Sequence, residues 1–175
     1  MKIIAFAGSS SLNSINKKLA TYVAHLFKDA EAEVLDLNDF EMPLFSVDKE
    51  NEIGRHEAAA LFLEKIRSAD VVAISLAEHN GNYSAAFKNV LDWCSRTRTD
   101  VFQNKPVLLM AASPGGRGGR SVLEIAENNL PRYGAQIKAV FSLPEFNRNF
   151  DLEGSKIADE ALDLQLKEIV KSFDI

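Results

Sequence analysis

DVVAISLAEHNGNYSAAFKNVLDW, residues 70–93, reads as a buried strand, a polar turn and a helix in immediate succession. Asp70 to Leu76 is a short, nearly continuous apolar run bounded by polar residues, which predicts a strand covered on both faces. Ala85 to Arg98 predicts a helix. The turn between them, Leu76 to Ser84, is rich in Asn and Gly and offers many free backbone donors and acceptors. Working outward, the same alternation recurs. Strands are predicted over Lys2 to Ala7, Glu33 to Leu37, Pro106 to Ala112 and Gln136 to Phe141. Helices are predicted over Asn13 to Lys28, Gly54 to Ser68, Gly119 to Arg132 and Ser155 to Phe173. In the helix over 54–68, Ala58, Leu61, Phe62, Lys65 and Ile66 partly trace one face; in the last, Ile157, Ala161, Leu164 and Ile169 point inward. Asp39 to Asn51, around Pro43, reads as irregular.

A strand-helix pair repeated five times predicts one α/β domain over residues 1–175, with a parallel sheet between two helical layers. Five strands suit the flavodoxin-like order 2-1-3-4-5 better than a six-stranded dinucleotide fold. In such a sheet the ligand binds beyond the carboxyl ends of the strands, where strands 1 and 3 diverge. Function is therefore sought in the segments after strands 1, 3 and 4.

Composition narrows the classes. Of 175 residues, 46% are apolar and 26% charged, with net charge −5; this argues against nucleic acid as a partner, which calls for a basic surface. No apolar run approaches the ~20 residues of a membrane span, and Ile3 to Ala7 is too short for a signal-peptide core. Cys94, the only cysteine, cannot form an internal disulfide, which fits a cytoplasmic location.

After strand 1 comes Gly8-Ser9-Ser10-Ser11-Leu12-Asn13-Ser14-Ile15-Asn16, running into a helix. Small hydroxyl residues at a helix N-terminus suit a phosphate, because free N–H groups and the helix dipole both favour an anion; a Ser-capped helix without a ligand is the simpler alternative. The Walker pattern and GxGxxG are both absent. After strand 3, Ala77-Glu78-His79-Asn80-Gly81 can border the polar edge of a flat heterocycle. After strand 4, Ser113-Pro114-Gly115-Gly116-Arg117-Gly118-Gly119-Arg120 gives close backbone approach to a ligand, or else a flexible loop with a helix cap. Arg117 or Arg120 would suit the phosphate of a nicotinamide nucleotide. There is no HxxxH or Cys/His cluster, so no metal site is expected. The elbow GxSxG is absent. Cys94 reads as buried rather than nucleophilic, and Trp93 as core.

Together the three loops resemble those of the NADPH-dependent FMN reductase family, flavodoxin-like quinone, azo-dye and chromate reductases. Gly8, Ser9, Ser14 and Asn16 match its first motif, with Ser11 where the family has Arg. Glu78, Asn80, Lys88, Asn89, Asp92 and Trp93 match the second, with Ala77, His79, Ser84 and Phe87 as departures. Ser113, Gly115, Gly116 and Gly119 match the third. The resemblance implies FMN as cofactor and NADPH or NADH as co-substrate. Ser9, Ser11, Ser14, Ile15 and Asn16 would hold the phosphate end, and residues 77–81 with Ser113, Pro114, Gly115 and Gly116 the ring end. It implies ping-pong reduction of a quinone-like acceptor with no protein side chain as covalent catalyst, and a homodimer or tetramer. Two alternatives stay open: an FMN-binding electron carrier without nicotinamide activity, and a flavin-free binding protein on the same fold.

Overall fold

The computed structural model describes residues 1–173; Asp174 and Ile175, the end of the expected domain, lie outside the described residues. In chain order the elements are β1 (Lys2–Gly8), α1 (Ile15–Leu26), β2 (Glu31–Leu35), a 3-10 turn (Leu37–Phe40), α2 (Val47–Ile53), α3 (Glu57–Ser68), β3 (Val71–Leu76), β4 (Glu78–His79) and β5 (Asn82–Tyr83). Then follow α4 (Ala85–Thr97), β6 (Pro106–Ala112), α5 (Arg120–Asn129), a second 3-10 turn (Leu130–Tyr133), β7 (Gln136–Leu143), α6 (Phe146–Asn149), β8 (Phe150–Asp151), β9 (Lys156–Ile157) and α7 (Glu160–Lys171).

The five long strands form one parallel sheet in the order β2-β1-β3-β6-β7, which is the predicted 2-1-3-4-5 order of a flavodoxin-like fold. The strand sequences are apolar throughout because alternate side chains enter different cores. Ile4, Phe6, Val72, Ile74, Val107 and Leu109 pack under α3, α4 and α5 with Phe62, Phe87 and Trp93. Ile3, Ala5, Val71, Ala73, Leu108 and Met110 pack under α1 and α7 with Leu19, Val23, Leu166 and Val170. Phe6 meets Phe62 edge-on, ring centroids 5.3 Å apart. Burying each such large side chain contributes roughly 1.5–3 kcal/mol, so the sheet's central strands are the rigid part of the molecule. The chain leaves β1 for β2 on one side and reaches β3 on the other, and the carboxyl ends of β1 and β3 open between these crossovers.

Several boundaries differ from the sequence reading. The second strand is Glu31–Leu35 rather than 33–37, because Asp36 caps the 3-10 turn, its carboxylate accepting the Asn38 N–H at 2.9 Å. The stretch read as irregular contains α2, started by the Ser46 hydroxyl and ended by Gly54 at φ 72°. Gly54 thus closes α2 and does not open the next helix. Of the residues read as partly tracing one face of that helix, Ala58, Phe62 and Ile66 are buried while Leu61 is 57% exposed, and Ala59 and Leu63 are buried as well. The helix expected to run to Arg132 breaks into a 3-10 turn at Pro131, whose ring removes a helical donor. The closing helix begins at Glu160, capped by Asp159. Ile157 belongs to the β8–β9 hairpin, so counting helical turns from it gave the wrong phase. Ala161 and Leu164 are exposed, whereas Leu166 and Val170 are buried and Leu162 and Ile169 partly so.

Candidate functional site

Three loops meet at the carboxyl end of the sheet. Around one cleft of about 240 Å³ stand Ser9, Ser11, Ser14, Ile15 and Asn16 from the first, Ala77, Glu78 and His79 from the second, and Ser113 and Pro114 from the third, with Asn13 and Ala112 completing it. The sequence reading did not single out those last two. Asn80, Gly81, Gly115 and Gly116 were expected at the same site and lie outside this lining.

The first loop is shaped for an anion. Ser14 caps α1, its Oγ accepting the Lys17 N–H at 3.2 Å, and Ser9 Oγ accepts the Ser11 N–H at 3.2 Å. The N–H groups of Ile15 and Asn16, in the first turn of α1, find no acceptor among the described residues. They are two of the orphan donors every helix start presents, and here they border the cleft. The Asn16 side chain faces the other way. It is 3% exposed, with Nδ2 donating to the Ala112 carbonyl at 3.2 Å and Oδ1 accepting the Ala112 N–H at 2.8 Å. The same Oδ1 accepts the Ser75 hydroxyl at 2.7 Å. Asn16 therefore sets where α1 begins relative to β3 and β6, and its backbone N–H, not its amide, is what it can offer an anion. Lys17, next along, pairs with Asp36; that bond, with the Asn38 N–H, holds the Asp36 carboxyl below the usual range.

The second loop is a tight hairpin. Glu78 pairs with Tyr83 and His79 with Asn82, and Asn80 and Gly81 turn with φ of 52° and 73°. Positive φ at both central positions is what an Asn-Gly hairpin turn demands. The sequence shows a turn here; the two short strands that make it a hairpin come from the structure. Ser84 anchors the hairpin: its hydroxyl donates to the Gly8 carbonyl at 2.8 Å and accepts the Phe87 N–H at 3.1 Å, capping α4. Gly8 sits in a close fit: a Cβ there would stand 2.7 Å from Leu76 Cδ2 and 3.4 Å from Phe87 Cβ, so the buried Leu76 side chain would have to shift.

Farther along α4, Asn89 and Trp93 serve the fold. Asn89 accepts the Phe45 N–H at 2.9 Å and donates to the Met42 carbonyl at 3.0 Å, and Trp93 Nε1 donates to the Pro43 carbonyl at 2.7 Å. They pin the 42–45 segment against α4. Lys88 and Asp92 form an exposed pair one turn apart, with contacts of 2.6 and 2.8 Å.

The third loop is held from behind. The Gly115 carbonyl accepts from the Ser113 hydroxyl at 2.9 Å, the Glu145 N–H at 3.0 Å and the Gly118 N–H at 3.4 Å. A trans peptide points its N–H opposite to its carbonyl, so the Gly116 N–H faces away from that cluster, and no acceptor among the described residues meets it. A Cβ built at Gly115 or Gly116 meets nothing within 4 Å. The open side of this loop thus offers backbone to an incoming ring. Arg117 and Arg120 are exposed; Arg117 donates to the Ser121 hydroxyl at 3.0 Å and Arg120 to Glu124 at 3.0 Å.

Cys94 is fully buried, with Sγ 3.7 Å from the Ala59 carbonyl. Burial pushes its thiol up to about 12, so at pH 8 it is neutral and out of reach of solvent. We expect no alkylation by iodoacetamide at pH 8 in the native protein and rapid alkylation after unfolding in guanidinium, read by intact mass. Labelling of the folded protein would show that Cys94 is accessible. Among the described residues, no group of three or more His, Cys, Asp or Glu could share a metal ion, and no helix is long and apolar enough to cross a membrane.

Hydroxyls and free N–H groups at one end, and glycine backbone with an empty side at the other, fit a phosphorylated planar heterocycle. Comparison with known proteins gives the same result. Residues 1–148 match the family model described as NADPH-dependent FMN reductase. An NADPH:quinone oxidoreductase of Arabidopsis thaliana is 29% identical over 185 aligned positions, covering 99% of this chain and 90% of that protein. A quinone reductase of Escherichia coli K12 is 31% identical over 120, covering 68% of this chain and 63% of that one. Among solved structures, the flavoenzyme NAD(P)H:(acceptor) oxidoreductase FerB of Paracoccus denitrificans superposes with a TM-score of 0.77 at 23% identity, over 98% of this chain and 94% of that one. A cleft built by three loops in this order, and a family match spanning all three, lead to one conclusion: the chain belongs to the NADPH-dependent FMN reductase family.

Proposed function

We propose that this chain catalyses NAD(P)H-driven reduction of a quinone-like acceptor with FMN as its redox group. The observation that carries the reading is the convergence of the three loops on one cleft. Ser9, Ser11 and Ser14, with the Ile15 and Asn16 N–H groups, would hold the phosphate. Ala77 to Gly81 and Ser113 to Gly116 would flank the ring. Bound FMN would supply two-electron chemistry, taking hydride from a nicotinamide and returning it to an acceptor. The chain's share is placement. The glycine loop keeps the ring's neighbours to backbone, and the packed sheet beneath prevents the walls from spreading. No side chain need bond covalently to substrate. His79 is exposed at the cleft rim, where its ring can meet whatever stacks on the flavin. A homodimer or tetramer in the cytoplasm belongs to the same reading. The oligomer is supported by the family's habit and by exposed apolar side chains, Leu44 (81% exposed) at a 390 Å³ groove beside the start of α4 and Val47 (60% exposed) three residues on.

The test is spectroscopic. Purified protein with FMN should quench flavin fluorescence with micromolar or tighter affinity, bleach on anaerobic addition of NADPH or NADH, and regain colour with a quinone. Initial rates against both substrates should give the parallel lines of a ping-pong mechanism, and sedimentation should give a dimer or tetramer. Lack of FMN binding at micromolar protein would defeat the proposal. Binding without bleaching would favour an electron carrier.

A further inference from the structure

The two walls of the cleft are joined by a bond that no loop motif predicts. α5 follows the glycine loop directly, and its N-cap, Gly119, has no side chain with which to cap the helix. The carboxylate of Glu78, 44 residues earlier on the hairpin, takes that role. Its Oε2 accepts the Val122 N–H at 3.0 Å. Val122 is the third residue of α5, the position that an N-cap side chain ordinarily serves. A carboxylate there also meets the positive end of the helix dipole. The hairpin turn lies close to the same helix start, since a Cβ added to Gly81 would come within 3.9 Å of Ser121 Cβ, and Tyr83 is buried on the hairpin's other strand.

We infer that Glu78 is a positioning residue that fixes the hairpin against the glycine loop, and so sets the spacing of the two walls between which the FMN ring sits. The inference rests on the proposed function and adds to it the side chain that sets the ring's place. Lining residues on one wall alone would leave each loop to find its own position. The Glu78 bond makes them move as one body. The requirement is for an acceptor oxygen at the right reach, not for negative charge as such. A glutamine, whose amide oxygen can accept the same N–H, should therefore substitute for it, and an alanine should not.

The experiment compares wild type with Glu78→Ala, Glu78→Gln and Glu78→Asp. In ligand-free protein, hydrogen exchange at the Val122 amide should accelerate about tenfold in Glu78→Ala and stay near wild type in Glu78→Gln. FMN affinity, read by fluorescence quenching, should fall about tenfold in Glu78→Ala and return in Glu78→Gln. The visible circular dichroism of bound FMN should change in Glu78→Ala alone of that pair, a readout that loss of stability would not move. If Glu78→Ala does not fold, Glu78→Asp, one methylene too short to reach, carries the same expectations. Unchanged Val122 exchange, or an alanine variant that binds FMN with wild-type affinity and dichroism, would overturn the inference. Wild-type protein that fails to bind FMN would instead overturn the functional reading and the positioning role with it, leaving the exchange result to report the bond alone.

Discussion

Replacing Asn16 by alanine is expected to destabilise the protein by about 3–5 kcal/mol and to abolish tight FMN binding. The side chain is buried and makes three hydrogen bonds, two to the backbone of Ala112 and one to the Ser75 hydroxyl. Alanine leaves the Ala112 N–H and carbonyl and the wholly buried Ser75 hydroxyl without partners, at roughly 1–3 kcal/mol for each unsatisfied group. Ala112 lies at the end of β6, directly before the glycine loop, and Asn16 lies in the first turn of α1. The same change therefore loosens both the phosphate end and the ring end of the site. Urea denaturation should show the midpoint falling with the slope unchanged. FMN titration should show affinity reduced by more than the tenfold expected of a single lost contact. Asn16→Asp is the sharper control: it keeps the acceptor oxygen for Ala112 N–H and Ser75 but sets a carboxylate against the Ala112 carbonyl. It should be as damaging as alanine. If Asn16→Ala retained wild-type stability, Asn16 would not be the pin between α1 and β6.

The second large effect separates glycines that serve the fold from glycines that serve the ligand. Gly119 has φ of 74°, and a Cβ on it would stand 2.6 Å from Ala111 Cβ on β6. Ala111 is fully buried in a central strand and has no rotamer by which to yield. Gly119→Ala combines left-handed strain of about 1 kcal/mol with overpacking of roughly 1–3 kcal/mol. We expect a loss of about 2–4 kcal/mol in thermal or urea unfolding. Gly116→Ala should do the opposite. Its Cβ meets nothing within 4 Å and its φ is not positive, so stability should stay within about 0.5 kcal/mol or rise slightly. Its added methyl falls on the side where the ring would lie, so FMN affinity should drop. Equal melting of wild type and Gly119→Ala would contradict the close packing of α5 on β6. Wild-type FMN binding by Gly116→Ala would move the ring away from this loop.

The differing demands of these glycines show why some of the site could be read early and some could not. Ser113-Pro114-Gly115-Gly116 was legible as a candidate ligand loop because four glycines within five positions, 115 to 119, are more than a turn needs. Which of them is left open depends on the segment after β7, since the Glu145 N–H fixes the Gly115 carbonyl from outside the motif. Asn16 was legible as a site residue and its role was not. A helix-start asparagine reads locally as an anion ligand, and only a strand 96 residues later turns its amide inward. The Asn80-Gly81 turn signal stands in the sequence, but the strands on either side are two residues each, too short to show an alternating pattern.

The alternation of apolar strands with amphipathic helices determined the three-layer sheet, its strand order and which loops meet at the carboxyl end of the sheet. Those features follow from periodicity and from the short list of right-handed crossovers, both of which act locally along the chain. Tertiary structure alone decided the inward face of α7, the pinning of Asn89 and Trp93 to the Pro43 segment, and the bond from Glu78 to Val122. The first depends on where the helix cap falls; the other two join residues far apart in sequence through ordinary backbone donors and acceptors, and almost every residue carries such groups. Composition and spacing hold no record of which of them will meet.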